Sequence, residues 1–217
     1  MPRTPLARTS FLALLTLLSL LVGALSLRYA LPRTPFAMDL DNLGAYPGLF
    51  TVHAVAASIA LMLGPFQFMA GLRRRWPALH RALGRLCAAA IAAGFVSALP
   101  MAVRAQTGAL ASAGFLVLAL LWCGATARGV QLARERRFAA HRAWMLRSFA
   151  LTCAAITLRI YLGSAIALGI PFEVSYPAIA WLCWVPNALA AEAWLAWERR
   201  RARPYGAALA AASQRLT

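Results

Sequence analysis

Long apolar runs alternate with short connections along this chain, and that alternation leaves it few ways to fold. The runs cover roughly 11–27, 49–72, 86–103, 109–130, 148–168 and 176–197. Each approaches the about 20 residues that carry a helix across a bilayer. Inside hydrocarbon every backbone N–H and C=O needs an internal partner, and a helix meets that need within one segment. Charged residues make up only 13% of the chain, against about a quarter in soluble domains. The expected fold class is therefore all-α, an integral membrane bundle of six transmembrane helices.

Arginine placement sets the expected orientation. The net charge of +16 would suit a nucleic-acid binder, but the arginines fall in alternate short connections and no nucleic-acid motif accompanies them. The N-terminus, the 73–85 loop, the 128–147 loop and the C-terminal tail are rich in Arg, whereas the other connections hold only Arg28, Arg33 and Arg104. By the positive-inside rule both termini are cytoplasmic. Trp194 and Trp197 fall where the inner aromatic belt belongs. The expected partners are the lipid bilayer and anionic headgroups at the cytoplasmic face, with no nucleic acid, and the expected location is a bacterial cytoplasmic membrane.

Three segments follow from this pattern. Residues 1–48 read as a signal-anchor helix and an outer loop rich in turn formers, although Val22-Gly23-Ala24 also offers the small residues of a cleavage site. Residues 49–197 read as a five-helix membrane core, with Gly64-Pro65 breaking the far end of its first span. Residues 198–217 read as a basic cytoplasmic tail. The four cysteines stand alone in separate apolar runs, without ligand spacing. A Ser/His/Asp set, HExxH, a Walker motif and a glycine-rich phosphate loop are all missing, which argues against hydrolase and nucleotide-driven functions.

The chemistry-bearing residues gather in two related segments, His80-Arg81-Ala-Leu-Gly84-Arg85 and His141-Arg142-Ala-Trp144-Met145-Leu-Arg147. Each opens a helix running from the inner side, so each lies by the positive end of a helix dipole. Histidine, arginine and free N–H groups together suit an oxyanion. The same arginines are also explained by topology and lipid headgroups alone. Alternatively, His80 and His141 ligate one b-type haem between the third and fifth helices, with Arg81, Arg85, Arg142 and Arg147 at its propionates. A neutral imidazole offers the lone pair that this requires.

A second set marks a polar pocket for a small solute or lipid. Arg159 stands inside the fifth span, where a charge is costly and invites a functional reading. By the 3.6 period it shares a face with His141, Ser148 and Thr152, and His53, Asn187 and Glu173 are its expected partners. In Trp184-Val-Pro186-Asn187 the proline frees a carbonyl that Asn187 is placed to satisfy. Glu192 either pairs with an arginine of the inner loops or is protonated. His53 and Gln67 fall on one face of the second span. A structural tether at Arg159 and helix-kink packing at Pro186 are the plainer accounts, and a purely structural or assembly role is a third reading of the whole chain.

From His53 to Glu192 the chain resembles an uncharacterised family of bacterial predicted membrane proteins. The likeness rests on His53 with Leu63-Gly64-Pro65-Phe66-Gln67, on the two His-Arg segments, and on Leu158-Arg159 and Trp184-Val-Pro186-Asn187. It implies the topology and the residue list but no reaction. The pairing of third and fifth helices also resembles one half of the two-haem membrane cytochromes of the ascorbate- and ferric-reductase kind. A second pair there would need histidines in the second and fourth helices, and only His53 is present.

Overall fold

The computed structural model describes residues 5–31, 44–105 and 107–213, with 5–8 and 202–213 as backbone only. Its elements are α1 (Pro5–Leu27), a 3-10 turn (Arg28–Ala30), α2 (Pro47–Gln67), α3 (Ala70–Arg75), α4 (Pro77–Val103), α5 (Ala109–Arg134), α6 (Phe138–Thr152), α7 (Ala154–Ala167), α8 (Phe172–Leu182) and α9 (Val185–Ser213). Six stretches are long and apolar enough to cross a membrane: α1, α2, α4, α5, the pair α6–α7 and the pair α8–α9. The turn-rich stretch 32–43, with Asp39 and Asp41, lies outside the described residues.

Local chemistry sets the helix ends. Pro47 and Pro77 open α2 and α4, where a missing N–H costs nothing and φ is already helical. α5 and α7 each close with a backbone bond spanning five residues, Arg137 N–H to Leu132 O at 2.9 Å and Ile170 N–H to Ala165 O at 2.9 Å. That closure needs one residue at positive φ. Gly169 supplies it at φ 68°, and Arg136 supplies it at φ 58° where a glycine would be less strained.

Some boundaries differ from the sequence expectation. Gly64-Pro65 does not end the second span, because α2 continues through Pro65 to Gln67 and breaks only at Phe68-Met69. The fifth pass is interrupted at Cys153, and the sixth at Cys183-Trp184, ahead of Pro186. The basic segment after Trp197 continues α9 as far as Ser213, with no separate tail structure among the described residues.

Four helices form a ring in the order α2, α4, α5, α6, closed by α2 against α6. α1 packs on the outside of α2 and reaches α7, α8 packs on α5 and α7, and α9 packs on α6. The third and fifth passes were expected to pack together. They instead oppose each other across the diagonal of the ring, with α2 and α5 between them.

The ring interior is built as membrane interiors are, from small residues and hydroxyls that let helices approach. A Cβ on Gly94 would sit 3.3 Å from the Trp122 ring, and one on Gly129 would sit 2.6 Å from Met145 Sδ. Trp122 Nε1–H donates to Thr152 Oγ1 at 2.8 Å, and Thr126 and Ser148 hydroxyls share a bond of 2.7 Å. Ser148 and Thr152 thus face α5. Large aliphatic residues such as Leu14, Val96, Leu120 and Ile160 point outward, as lipid-facing side chains do.

Candidate functional site

One end of the bundle, here called the basic end, carries the α3–α4 corner, the α5–α6 turn and the lower part of α9. His80 and His141 both lie there, each in the first turn of its helix. His80 is within electrostatic reach of His141, Arg73 and Arg81. The two histidines of the repeated segments thus stand at the same end of the bundle, on opposed helices of the ring.

Their hydrogen bonding differs. His141 Nδ1 lies 2.8 Å from the Gly129 carbonyl oxygen. A carbonyl only accepts, so Nδ1 carries the proton and Nε2 carries the lone pair whenever the ring is neutral. That arrangement is the usual way of orienting a ligating histidine. His80 Nδ1 is buried with no partner, and so is the nearby Gln67 Nε2. Gln67 and His80 are a turn apart in depth, since a Cβ on Gly84 would lie 3.3 Å from Gln67 Oε1. Buried polar groups are nearly always bonded, and these two are without a protein partner.

The arginines of the two segments have also diverged. Arg142 makes a two-pronged pair with Glu198, at 2.6 and 2.9 Å, and Arg147 makes one with Glu192, at 2.5 and 2.9 Å. Glu192 therefore pairs with an arginine, the first of its two expected roles. These bonds clamp α6 to α9 and take both arginines away from the symmetrical clamp that the sequence suggested around His141. Arg81 and Arg85, with Arg73, Arg74 and Arg75, make no ion pair among the described residues.

Beneath the histidines the ring is closed. A Cβ on Gly64 would meet Phe149 Cε2 at 2.3 Å, so the Phe149 ring fills the space that the glycine leaves. Phe68 packs on the same ring, 5.5 Å between centroids. A cleft of about 540 Å³ opens beside the corner at Arg75, Trp76, Pro77, Ala78 and Leu79. Another of about 420 Å³ lies between α2 and α4, lined by residues such as Thr51, Ile59 and Ala90. Neither includes a histidine.

The six residues of the expected polar pocket do not converge. Gln67 belongs to the basic end, and Glu192 is bound to Arg147 there. Trp184 is core, its Nε1–H on the Ala180 carbonyl at 3.0 Å. Asn187 Nδ2 donates to Thr157 Oγ1 at 3.2 Å and to the Cys183 carbonyl at 3.1 Å, and the Thr157 hydroxyl donates to that carbonyl too. The Cys183 carbonyl at the helix break is thus satisfied by two side chains, whereas the carbonyl that Pro186 frees is that of Leu182, four residues back; Thr157 is a partner that sequence reasoning missed.

His53 and Arg159 lie toward the opposite, far end. His53 Nδ1 donates to Gly94 O at 2.9 Å. Arg159 donates from Nη2 to Ser26 Oγ at 2.6 Å and from Nη1 to its own turn, Ala155 O, at 2.7 Å. Of its expected partners His53 is within electrostatic reach, while its hydrogen bonds go to Ser26 and Ala155. The interruption at Cys153 means that spacing no longer places Arg159 and His141 on one face.

Residues 50–195 match the model of a family described as predicted membrane protein (DUF2306), and the chain belongs to that family. No curated protein and no solved structure matches it.

Proposed function

We propose that this multi-pass member of the family binds a b-type haem between His80 and His141 and serves membrane electron transfer, with its basic end on the cytoplasmic side of a bacterial inner membrane. The observation that supports the reading is the placement of two first-turn histidines at one end of the ring, one with Nε2 freed by the Gly129 carbonyl and the other with Nδ1 buried and unbonded. The donor set suits a haem iron. Bound there, haem supplies one-electron transfer. Arg81 and Arg85 are free to meet its carboxylate arms, whereas Arg142 and Arg147 are held by glutamates and serve to fix α6 against α9. Because the layer under the histidines is closed by Phe149, room for a macrocycle has to come from rearrangement at the mouth around His80, Gln67 and Phe68.

The test is a reduced-minus-oxidised visible spectrum of detergent-purified protein made with haem supplied. The expected result is a sharp α-band, absent from His80→Ala and from His141→Ala but kept in His53→Ala. A flat spectrum at full folded yield overturns the reading.

A second reading rests on a separate observation, the five unpaired arginines of the α3–α4 corner beside exposed Trp76. Each cationic side chain near an anionic leaflet contributes about 1 kcal/mol, so this corner would hold the bundle against anionic headgroups whether or not haem binds.

A further inference from the structure

We propose that the far end holds an oxyanion site between α1, α2 and α7, built on Arg28 and Arg159. Arg159 Nη2 holds Ser26 Oγ, two residues before Arg28, which brings the two arginines to one corner of the bundle, and His53 is within electrostatic reach of Arg159. Neither arginine has a carboxylate partner among the described residues. Arg159 enters α7 eight residues before its end at Ala167, about 12 Å inside the helix terminus. Two like charges side by side repel, and a shared anion is what relieves them.

The site is built, with its parts held in place. Arg159 spends two of its five N–H donors on Ser26 Oγ and Ala155 O, which fixes its plane and leaves the others unused. Arg28 donates from Nη2 to Tyr29 OH at 3.1 Å, and its Nε is buried with no partner. Tyr29 is in turn fixed, its carbonyl accepting from Thr51 Oγ1 at 3.2 Å and its ring edge-on to Phe50 at 5.1 Å. Spare planar donors on two fixed arginines match a tetrahedral phosphate-type oxyanion. That chemistry arrives either as a soluble ion or as the headgroup of an anionic lipid in the facing leaflet.

The experiment is thermal melting of the full chain in neutral detergent, with inorganic phosphate or with added phosphatidylglycerol, in the wild type, Arg28→Gln, Arg159→Gln and Arg81→Gln. A ligand that binds only the folded state raises the melting temperature. A rise with inorganic phosphate that vanishes in Arg28→Gln and Arg159→Gln, and persists in Arg81→Gln, assigns a soluble anion. A rise with phosphatidylglycerol alone, with the same dependence on the variants, assigns a lipid headgroup. No rise with either probe, or an undiminished rise in both far-end variants, overturns the site. Should Arg159→Gln not fold, Arg28→Gln decides, since Arg28 lies in the turn after α1.

Discussion

Trp122→Ala is expected to be among the most damaging single substitutions in the bundle, costing about 3 kcal/mol, the low end of the range for a buried tryptophan. Trp122 is 7% exposed, fills the notch over Gly94, and gives its only side-chain N–H to Thr152. In a bilayer the alternative environment is also apolar, so the transfer share of that range falls away. What is lost is packing across α4, α5 and α6, together with one buried hydrogen bond. Leu120, only two residues away, is 52% exposed and faces lipid, so Leu120→Ala is expected to be nearly neutral. Reversible unfolding in mixed micelles measures both. Equal costs for the two would contradict this packing.

Gly64→Ala is the second large effect, at about 1–3 kcal/mol, the cost of overpacking. The new methyl would lie 2.3 Å from Phe149 Cε2 and 2.4 Å from Phe149 Cδ2. The ring cannot swing away freely, because Phe68 holds its other side and Phe149 is 8% exposed. The clash lies between α2 and α6, the contact that closes the ring, so the strain falls on the weakest seam of the four. Phe149→Leu in the same background is expected to recover most of the loss. Unchanged stability in Gly64→Ala would mean that the two helices stand further apart.

Much of the architecture was legible because a bilayer imposes a simple rule on sequence. Apolar runs of sufficient length mark the six passes, and Pro77 marks one helix start, whereas Pro47, read as part of the outer loop, opens α2. The buried hydroxyls of Ser148 and Thr152 were readable from helical period. The interruption at Cys153 was not, since neither proline nor glycine stands there and it arises in the packed bundle. Ion pairing was hidden for a similar reason. Glu192 and Glu198 show their charge in the sequence, but their choice of Arg147 and Arg142 depends on how α9 lies on α6. That choice separates two segments that read as near-copies, leaving His80 beside free arginines and His141 beside committed ones. Arg159 shows the same limit, for its partner Ser26 comes from the first helix, where nothing in the local pattern distinguishes it.

The functional reading requires His80 and His141 to approach each other across the ring, and a spin-label distance tests that most directly. Labels placed at 80 and 141 in one variant, and at 53 and 141 in another, compare the two histidines of α2 and α4 against the same reference on α6. His53 lies fourteen residues before Gln67 at the basic end of α2, about 21 Å along the helix. The account predicts a short 80–141 distance and a clearly longer 53–141 distance. A 53–141 distance equal to or shorter than the 80–141 distance would contradict it, and would remove the basis for a site at the basic end.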